Sequence, residues 1–181
     1  MSSTPTPGST PLVVVMGVSG SGKSVVGAAL AQRLRVPFAD ADDFHPPANI
    51  AKMTAGEALD DRDRKPWLAA IGTWLADQDA EGGVIACSAL KRKYRDQLRH
   101  HAPRVVFLHL DGSREVIARR QASRPGHFMP SSLLTSQFET LQRLAPDEAG
   151  LVIDVDQSVD VIVQQFVDQS APVATPKEIS S

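Results

Sequence analysis

Hydrophobic residues along this chain form short continuous runs that alternate with stretches of helical spacing. The runs predict strands at residues 12–16, 37–40, 83–87, 104–110 and 151–155. The intervening patterns predict helices at residues 23–34, 47–53, 64–79, 91–100, 113–122, 131–144 and 158–168. This alternation favours an α/β fold with a parallel sheet, and the nearly continuous apolar runs of the first, third and fourth strands indicate burial on both faces.

A glycine-rich segment joins the first predicted strand to the first predicted helix. It reads Gly17-Val18-Ser19-Gly20-Ser21-Gly22-Lys23-Ser24 and has the spacing G-x-x-x-x-G-K-[ST]. In such a P-loop, backbone N–H groups surround a phosphate at the positive end of a helix. Lys23 is expected to reach the β- and γ-phosphates and Ser24 to bind Mg²⁺. The alternative is a glycine-rich turn without a ligand, which the strand before the motif and the helix after it disfavour. The motif predicts ATP-type nucleotide binding by Gly17, Ser19, Gly20, Ser21, Gly22, Lys23 and Ser24.

Composition and charge narrow the class of protein. The chain has 181 residues, 42% hydrophobic and 22% charged, which suits one globular domain. The net charge of −2 gives no reason to expect a nucleic-acid partner. The single cysteine, Cys87, fits a reducing compartment and therefore the cytoplasm, and no apolar run approaches membrane-spanning length. We expect a P-loop domain over residues 11–169 between disordered tails at 1–10 and 170–181.

Three carboxylates, Asp40, Asp42 and Asp43, follow the second predicted strand. Their mutual repulsion would be relieved by a bound Mg²⁺ or a hydroxyl substrate. A carboxylate that accepts the proton of an attacking hydroxyl is a recurring part of phosphoryl transfer. The alternative is a solvated acidic turn that caps the next helix.

Two cations, Arg64 and Lys65, lie at the predicted start of a helix, where the macrodipole disfavours positive charge. They indicate either a nearby anion or ion pairing of Arg64 with Asp60, Asp61 or Asp63, and the sequence leaves both open. Trp67 has the helical spacing of a core residue.

The third predicted strand ends at Cys87, which we expect to be a buried small residue rather than a nucleophile. Lys91 and Arg92 follow and could hold a substrate carboxylate. Arg95, further along the same helix, is expected to be an ordinary surface cation.

A second basic group contains Arg120 and Arg124, one helical turn apart, before a Pro-Gly break. This pattern predicts a mobile lid whose arginines close over the polyphosphate and exclude water. The alternative is a basic surface helix with a proline turn. His127, in the same segment, is either an ordinary loop histidine or a substrate contact.

Together these segments resemble the bacterial-type gluconate kinases of the P-loop kinase class. Besides the P-loop, the resemblance is carried by Asp40-Ala41-Asp42-Asp43-Phe44-His45-Pro46, Asn49-Ile50, Lys52-Met53, Asp63-Arg64-Lys65-Pro66-Trp67-Leu68, Cys87-Ser88-Ala89-Leu90-Lys91-Arg92, Gly126-His127-Phe128-Met129 and Gln137-Phe138-Glu139. The resemblance implies a five-stranded parallel sheet of the nucleoside-monophosphate-kinase type and commonly a homodimer. It implies the reaction of ATP with D-gluconate to give ADP and 6-phosphogluconate.

The resemblance also implies roles for individual residues. Asp42 is expected to take the proton of the C6 hydroxyl, and Asp40 to lie near Mg²⁺. Arg120 and Arg124 are the expected lid arginines, with Asp156 and Gln157 near the adenine. The expected gluconate contacts, besides Asp42, are His45, Arg64, Lys91, Arg92, His127 and Gln137.

Three other functions are alternatives to a gluconate kinase. Another small-molecule kinase of the same fold, such as a shikimate kinase, also has Asp-x-Asp after the second strand. Its glycine-rich turn follows the third strand, whereas this chain has Cys87-Ser88-Ala89-Leu90 there. A non-enzymatic nucleotide switch leaves the acidic segment and the lid arginines without a purpose. A nucleic-acid-binding P-loop protein is disfavoured by the net charge.

Overall fold

The computed structural model of the chain describes residues 10–122 and 131–170. Nearly all of the two expected tails, together with the expected lid residues Arg124 and His127, lies outside the described residues.

Five strands form one sheet in which every neighbouring pair is parallel. They are β1 (Leu12–Met16), β2 (Phe38–Asp40), β3 (Gly83–Ala86), β4 (Val105–Asp111) and β5 (Gly150–Asp154). Their order across the sheet is β2-β3-β1-β4-β5. The predicted fold class, a five-stranded parallel sheet flanked by helices, is confirmed.

Seven α-helices connect and cover the strands of the described chain. They are α1 (Lys23–Leu34), α2 (Pro47–Thr54), α3 (Asp61–Asp77), α4 (Arg92–His101), α5 (Arg114–Ala122), α6 (Ser131–Thr140) and α7 (Val159–Gln169). A 3-10 turn at Ala41–Phe44 follows β2.

Two helix ends differ from the prediction by three residues or more. Helix α3 begins at Asp61 rather than at residue 64, because Asp60 and Asp63 form a reciprocal capping box at its start. Helix α6 ends at Thr140 rather than at residue 144. The backbone N–H of Gln142 donates instead to Leu90 O at 2.7 Å, which fastens this segment to the loop after β3.

Alternation along β1 divides the apolar core into two layers. Val13 and Val15 belong to the cluster that contains residues of α1 and α7, whereas Leu12, Val14 and Met16 belong to the cluster that contains residues of α3 and α4. All five residues of β1 have 0% exposure. The burial predicted for β1, β3 and β4 is confirmed by their almost uninterrupted buried positions.

The carboxyl ends of β1, β2 and β3 bring three loops together. Cys87, just beyond β3, donates its backbone N–H to Val15 O at 3.0 Å, and the Gly17 N–H donates to Ser88 O at 3.3 Å. The P-loop after β1 is thereby joined to the loop after β3, and the acidic turn after β2 lies beside them. Ligands in open α/β sheets bind at this edge.

Candidate active site

The P-loop has a backbone that only glycine adopts readily. Gly20 and Gly22 have φ values of 86° and 90°, in the left-handed region. Gly22 immediately precedes helix α1, so the loop presents the positive end of that helix. Lys23 Nζ donates to Val18 O at 3.1 Å, across the loop. Loss of solvation lowers the pKa of Lys23, against the opposing effect of nearby Cys87, Asp42 and Asp40.

Ser24 and Asp40 join the P-loop to the acidic turn. The Ser24 hydroxyl donates to Asp40 Oδ2 at 2.6 Å, while Asp40 Oδ1 accepts from the Asp42 backbone N–H at 2.9 Å. Asp40 therefore caps the 3-10 turn, as the alternative interpretation of the acidic segment expected, and also faces the P-loop. Two oxygen ligands suitable for a hard cation lie side by side here.

Asp42 is the carboxylate of this turn that lines the neighbouring cleft together with Asp40. Loss of solvation, followed by repulsion from Asp40, raises the pKa of Asp42, against the opposing effect of Lys23 and His45. Asp42 and Asp43 are both exposed, but Asp43 is not among the described residues that line the cleft. Asp42, unlike Asp43, therefore faces the cleft.

A cleft of about 810 Å³ opens beside the P-loop. The acidic turn, the segment between α2 and α3, and the loop after β3 form its walls, and α6 also contributes. The lining residues are Ser19, Gly20, Gly22, Lys23, Ser24, Val25, Asp40, Asp42, His45, Met53, Gly56, Glu57, Ala58, Leu59, Arg64, Trp67, Ala86, Cys87, Ser88, Ser136 and Gln137. Cys87 is a buried thiol whose pKa burial raises to about 12, as expected for a structural residue.

His45 lies flat on Trp67 in one wall of the cleft. The ring centroids are 4.4 Å apart and the planes differ by 7°. Trp67 Nε1 donates to Ala41 O at 2.7 Å, which holds the indole against the acidic turn. The prediction that Trp67 is a core residue is confirmed by its 6% exposure, yet its face also supports a cleft residue.

Arg64 belongs to a charged cluster around Asp61. Arg64 donates to Tyr94 Oη at 3.1 Å and lies 3.6 Å from Asp61 Oδ1, which also accepts from Tyr94 Oη at 2.6 Å. Lys91 Nζ is 3.8 Å from Asp61, and Lys93 also pairs with it. Bonds from Lys93 and Tyr94 hold the pKa of Asp61 at about 2. One carboxylate thus faces three cations, so the cluster retains positive charge beside the cleft.

Two arginines of α4 are engaged in ion pairs, Arg92 with Asp147 and Arg95 with Glu148. Arg92 makes a bidentate ion pair with Asp147 at 2.9 and 2.6 Å, and neither Lys91 nor Arg92 is among the described lining residues. The prediction that Arg95 is a surface cation is wrong, because the side chain is fully buried against Glu148. Its guanidinium also donates to Ala89 O at 2.8 Å, so it supports the loop after β3.

Helices α5 and α6 contact the P-loop from the other side. Gln137 Oε1 accepts from the Ser19 N–H at 2.6 Å, and Gln121 Nε2 donates to Ser19 O at 3.1 Å. Arg120 Nη1 donates to Val155 O at 2.7 Å, and its other terminal nitrogen lies near Gly22. The structure therefore brings Arg120 to the P-loop and next to the segment that begins with Asp156.

The two residues expected near adenine lie in the turn after β5. The Asp156 N–H donates to Asp154 Oδ1 at 2.8 Å, and Gln157 Nε2 donates to Asp154 O at 2.7 Å. Neither is among the described lining residues of the cleft. They directly follow Val155, whose carbonyl accepts a hydrogen bond from Arg120 Nη1.

Sequence reasoning gave no site role to Asn49, Asp61, Tyr94 or Gln121. Asp61 and Tyr94 organise the cations, Gln121 contacts the P-loop, and Asn49 is a buried amide behind His45. The sequence carries no local signal for Gln121 or Tyr94, since their partners lie more than 30 positions away. Asn49 could have been noticed as a polar residue on the buried side of a short helix.

Known kinases are similar in sequence to this chain over most of its length. A gluconokinase of Gluconobacter oxydans (strain 621H) is 45% identical over 157 residues, which cover 86% of this chain and 88% of that protein. The thermoresistant gluconokinase of Escherichia coli (strain K12) is 44% identical over 87% of this chain and 91% of its own length. The chain belongs to the gluconokinase family. It also matches the family model described as shikimate kinase, over residues 19–171, and so falls within that wider family.

Solved structures agree with this gluconokinase-family assignment. The crystal structure of a gluconokinase from Sinorhizobium meliloti 1021 superposes with a TM-score of 0.83 at 48% identity, covering 94% of this chain and 97% of that one. A shikimate kinase from Bacteroides thetaiotaomicron has a TM-score of 0.60 at 17% identity, covering 88% and 97%, and shares the fold alone. The predictions of a nucleotide-binding kinase and of the gluconate kinase resemblance are confirmed. No helix among residues 10–122 and 131–170 has the length and apolar character needed to cross a membrane.

Proposed function

We propose that this gluconokinase-family enzyme transfers the γ-phosphoryl group of ATP to the C6 hydroxyl of D-gluconate, giving ADP and 6-phospho-D-gluconate. The observation that carries the proposal is a single cleft lined by the P-loop, by Asp42 and by Arg64. A phosphate site, a proton acceptor and a cation for a carboxylate thus share one space. The relatives named as gluconokinases support the same substrate.

The donor half of the site consists of the P-loop and its neighbours. The P-loop backbone from Gly17 to Ser24 would hold the polyphosphate, and Lys23 would balance charge on its outer end. Arg120, which lies beside Gly22, would add a second cation, and we assign the same role to Arg124. Asp156 and Gln157 would border the adenine.

The acceptor half pairs a carboxylate with a cationic cluster. The C6 oxygen attacks the γ-phosphorus, the bond from that phosphorus to the β,γ-bridging oxygen breaks, and Asp42 receives the hydroxyl proton. Arg64 would hold the gluconate carboxylate, with Lys91 behind it in the cluster around Asp61. We assign further gluconate contacts to His45, His127 and Gln137, and to Arg92 once it leaves its ion pair with Asp147.

Ser24 and Asp40 are the residues that would hold Mg²⁺. Their oxygens are 2.6 Å apart and both line the cleft, so the donor set suits a small hard cation. Among the described residues, no three or more His, Cys, Asp or Glu side chains cluster as a metal site. Mg²⁺ in phosphoryl-transfer sites commonly takes one or two protein oxygens and completes its shell with water and phosphate oxygens. When bound, it neutralises charge on the β- and γ-phosphates.

We further propose that the enzyme acts in gluconate utilization as a cytoplasmic homodimer. The family resemblance supports the dimer, and the lone buried thiol of Cys87 is compatible with a reducing compartment. Light scattering of the purified full chain would give twice the 19.4 kDa monomer mass for a dimer.

The test of this function is ADP release from Mg-ATP in the presence of different acceptors. The panel contains D-gluconate, shikimate, related aldonates and buffer alone. Strong turnover that requires gluconate is expected. Turnover with shikimate but not gluconate would contradict the substrate, and equal release in buffer alone would contradict the kinase reaction itself.

A further inference from the structure

Asn49 is a buried polar residue directly behind a cleft residue. It lies on α2 with 2% exposure, and its amide nitrogen makes two contacts. Asn49 Nδ2 donates to the backbone carbonyl of Asp63 at 3.0 Å and lies 3.2 Å from His45 Nδ1. A buried amide with both contacts on the same nitrogen has a defined orientation.

The carbonyl of Asp63 determines the orientation of the Asn49 side-chain amide, that is, the positions of its nitrogen and its oxygen. A carbonyl oxygen only accepts hydrogen bonds, so the Asn49 nitrogen rather than its oxygen must face Asp63. The second N–H of the same amino group is then directed to His45 Nδ1. Because that group donates, His45 Nδ1 must be the acceptor, and the ring proton must be on Nε2.

We propose that Asn49 is a positioning residue that holds His45 as the neutral Nε2–H tautomer and turns this N–H donor toward the acceptor substrate. His45 lines the cleft while its Nδ1 faces Asn49, so Nε2 is on the edge of the ring away from α2. The matching ligand group is a hydroxyl oxygen of a polyhydroxy acid. That identity rests on the proposed function, whereas the tautomer does not.

The surroundings hold both residues in this arrangement. His45 is stacked on Trp67, and rotation of its ring by 180° would replace Nδ1 with a carbon opposite Asn49. Lys52, on the same helix, pairs with Asp63 Oδ2 at 2.6 Å and fastens α2 independently of the histidine. Lys52 therefore provides a matched control for loss of helix anchoring.

The electrostatics agree with a neutral ring. Desolvation lowers the pKa of His45, with Arg64 acting in the same direction and Asp42 in the opposite one. A proton on Nδ1 would place two donors face to face, since the Asn49 amino group cannot accept. Neutral His45 is thus the form that satisfies the buried amide.

The direct test is the imidazole ¹⁵N spectrum of the full, ¹⁵N-labelled chain without ligand. Multiple-bond ¹H–¹⁵N correlations distinguish the two tautomers, and His45→Gln identifies the His45 signals by their loss. An Nε2–H ring at pH 7.5 is expected in the wild type and in Lys52→Met. An Nδ1–H ring, or an even mixture, in the wild type would overturn the proposal. Asn49→Asp, whose carboxylate only accepts, is expected to move the ring toward Nδ1 protonation.

A kinetic cycle tests whether Asn49 acts through His45. Asn49→Ala is expected to lower kcat/KM for D-gluconate about tenfold, the range of one hydrogen bond, with KM for ATP unchanged. In a His45→Ala background the same substitution should have no further effect. The positioning role would be overturned if the two losses in kcat/KM multiplied in the double variant. It would also be overturned if Lys52→Met lowered kcat/KM as much as Asn49→Ala does. If gluconate proves not to be the substrate, the ¹⁵N result still decides the tautomer.

Discussion

Ser24 and Asp40 are hydrogen bonded at 2.6 Å, although sixteen positions separate them in the chain. The contact joins the last residue of the P-loop to the last residue of β2. Asp40 is held from its other oxygen by the Asp42 N–H, so its carboxylate has a fixed direction. The P-loop and the acidic turn are therefore directly joined, and substitutions in either should affect the same step.

Removal of the Ser24 hydroxyl should weaken Mg²⁺-dependent turnover. We expect Ser24→Ala to lower kcat roughly 10–100-fold and to raise the Mg²⁺ concentration needed for half-maximal rate, because one of two oxygen ligands is lost. Ser24→Thr keeps the hydroxyl and should retain most activity. Mg²⁺ titration of initial rates measures both, and an unchanged titration for Ser24→Ala would contradict the proposed ligand.

The choice of base is tested by paired amide substitutions in the acidic turn. Asp42→Asn should reduce kcat about 10²–10⁴-fold with nearly unchanged ATP binding, since the amide cannot take the hydroxyl proton. Asp43→Asn is the matched control and should have little effect, because Asp43, unlike Asp42, is not among the described residues that line the cleft. Near-normal turnover of Asp42→Asn would exclude Asp42 as the base.

Arg64 should determine gluconate affinity rather than ATP affinity. Arg64→Met is expected to raise KM for gluconate roughly 10–100-fold, the usual effect of losing a charge-assisted hydrogen bond. Lys65→Met removes a neighbouring cation that is exposed and outside the described lining residues, and KM should stay close to normal. Steady-state kinetics with each substrate varied in turn separates the two affinities. If Arg64→Met raised KM for ATP more than KM for gluconate, the assignment of Arg64 to the gluconate carboxylate would be contradicted.

The buried pair of Arg95 and Glu148 should matter for stability. Both side chains have no solvent exposure, and the pair joins at 2.7 and 3.0 Å. Arg95→Met leaves the Glu148 carboxylate without that partner and is expected to lower the free energy of unfolding by about 3–5 kcal/mol. Urea denaturation measures the change.

Two further variants check the origin of that loss. Arg95→Met combined with Glu148→Leu should recover much of the stability, because no unpaired charge remains. The half-exposed pair of Arg92 and Asp147 offers a contrast, and Arg92→Met should lower the free energy of unfolding much less than Arg95→Met does. Equal losses for Arg92→Met and Arg95→Met would contradict the importance of burial.

Acid should destabilise the fold in two steps. Burial lowers the pKa of His109 from 6.5 to about 4, so the unfolded chain binds the proton first and stability falls as pH drops from 6.5 to 4. Desolvation alone would raise the pKa of Glu148, but its bonds to Arg95 and to the Ala145 N–H outweigh this effect and lower the pKa from 4.5 to about 2. Its contribution is complete above pH 4.5 and is lost toward pH 2.

A histidine substitution isolates the first step. His109→Phe should flatten the stability profile between pH 6.5 and 4, removing a dependence on the order of 3 kcal/mol. His100→Gln, at an exposed histidine, should leave the profile unchanged. Urea denaturation at a series of pH values gives both profiles, and the same slope in His109→Phe and wild type would rule out His109 as its source.

Local patterns predicted the sheet well because its strands are short apolar runs with clear ends. The bounds of β1 and α1 match the prediction, and the other strands differ by at most one residue at either end. The start of α3 differs from the prediction because Asp60 and Asp63 cap the helix, whereas the sequence pattern presents them as partners of Arg64. The end of α6 depends on a bond from Gln142 to Leu90, which no local pattern reveals.

In the candidate site too, local segments could be predicted and contacts between distant residues could not. The P-loop and the acidic turn could be predicted, because each is a continuous segment at the end of a strand. The burial of Arg95 could not, since its partner Glu148 is 53 positions away and an arginine on a helix is ordinarily exposed. The orientation of Arg92 toward Asp147 likewise depends on how the segment before β5 packs.

The central claim is tested most directly by the ³¹P spectrum of the product formed from Mg-ATP and D-gluconate. A phosphate on the primary C6 oxygen has two neighbouring protons, so a new phosphomonoester triplet is predicted alongside the signals of ADP. A doublet would place the phosphate on a secondary hydroxyl and contradict the assigned geometry of Asp42. Inorganic phosphate as the sole new product besides ADP would contradict phosphoryl transfer to gluconate.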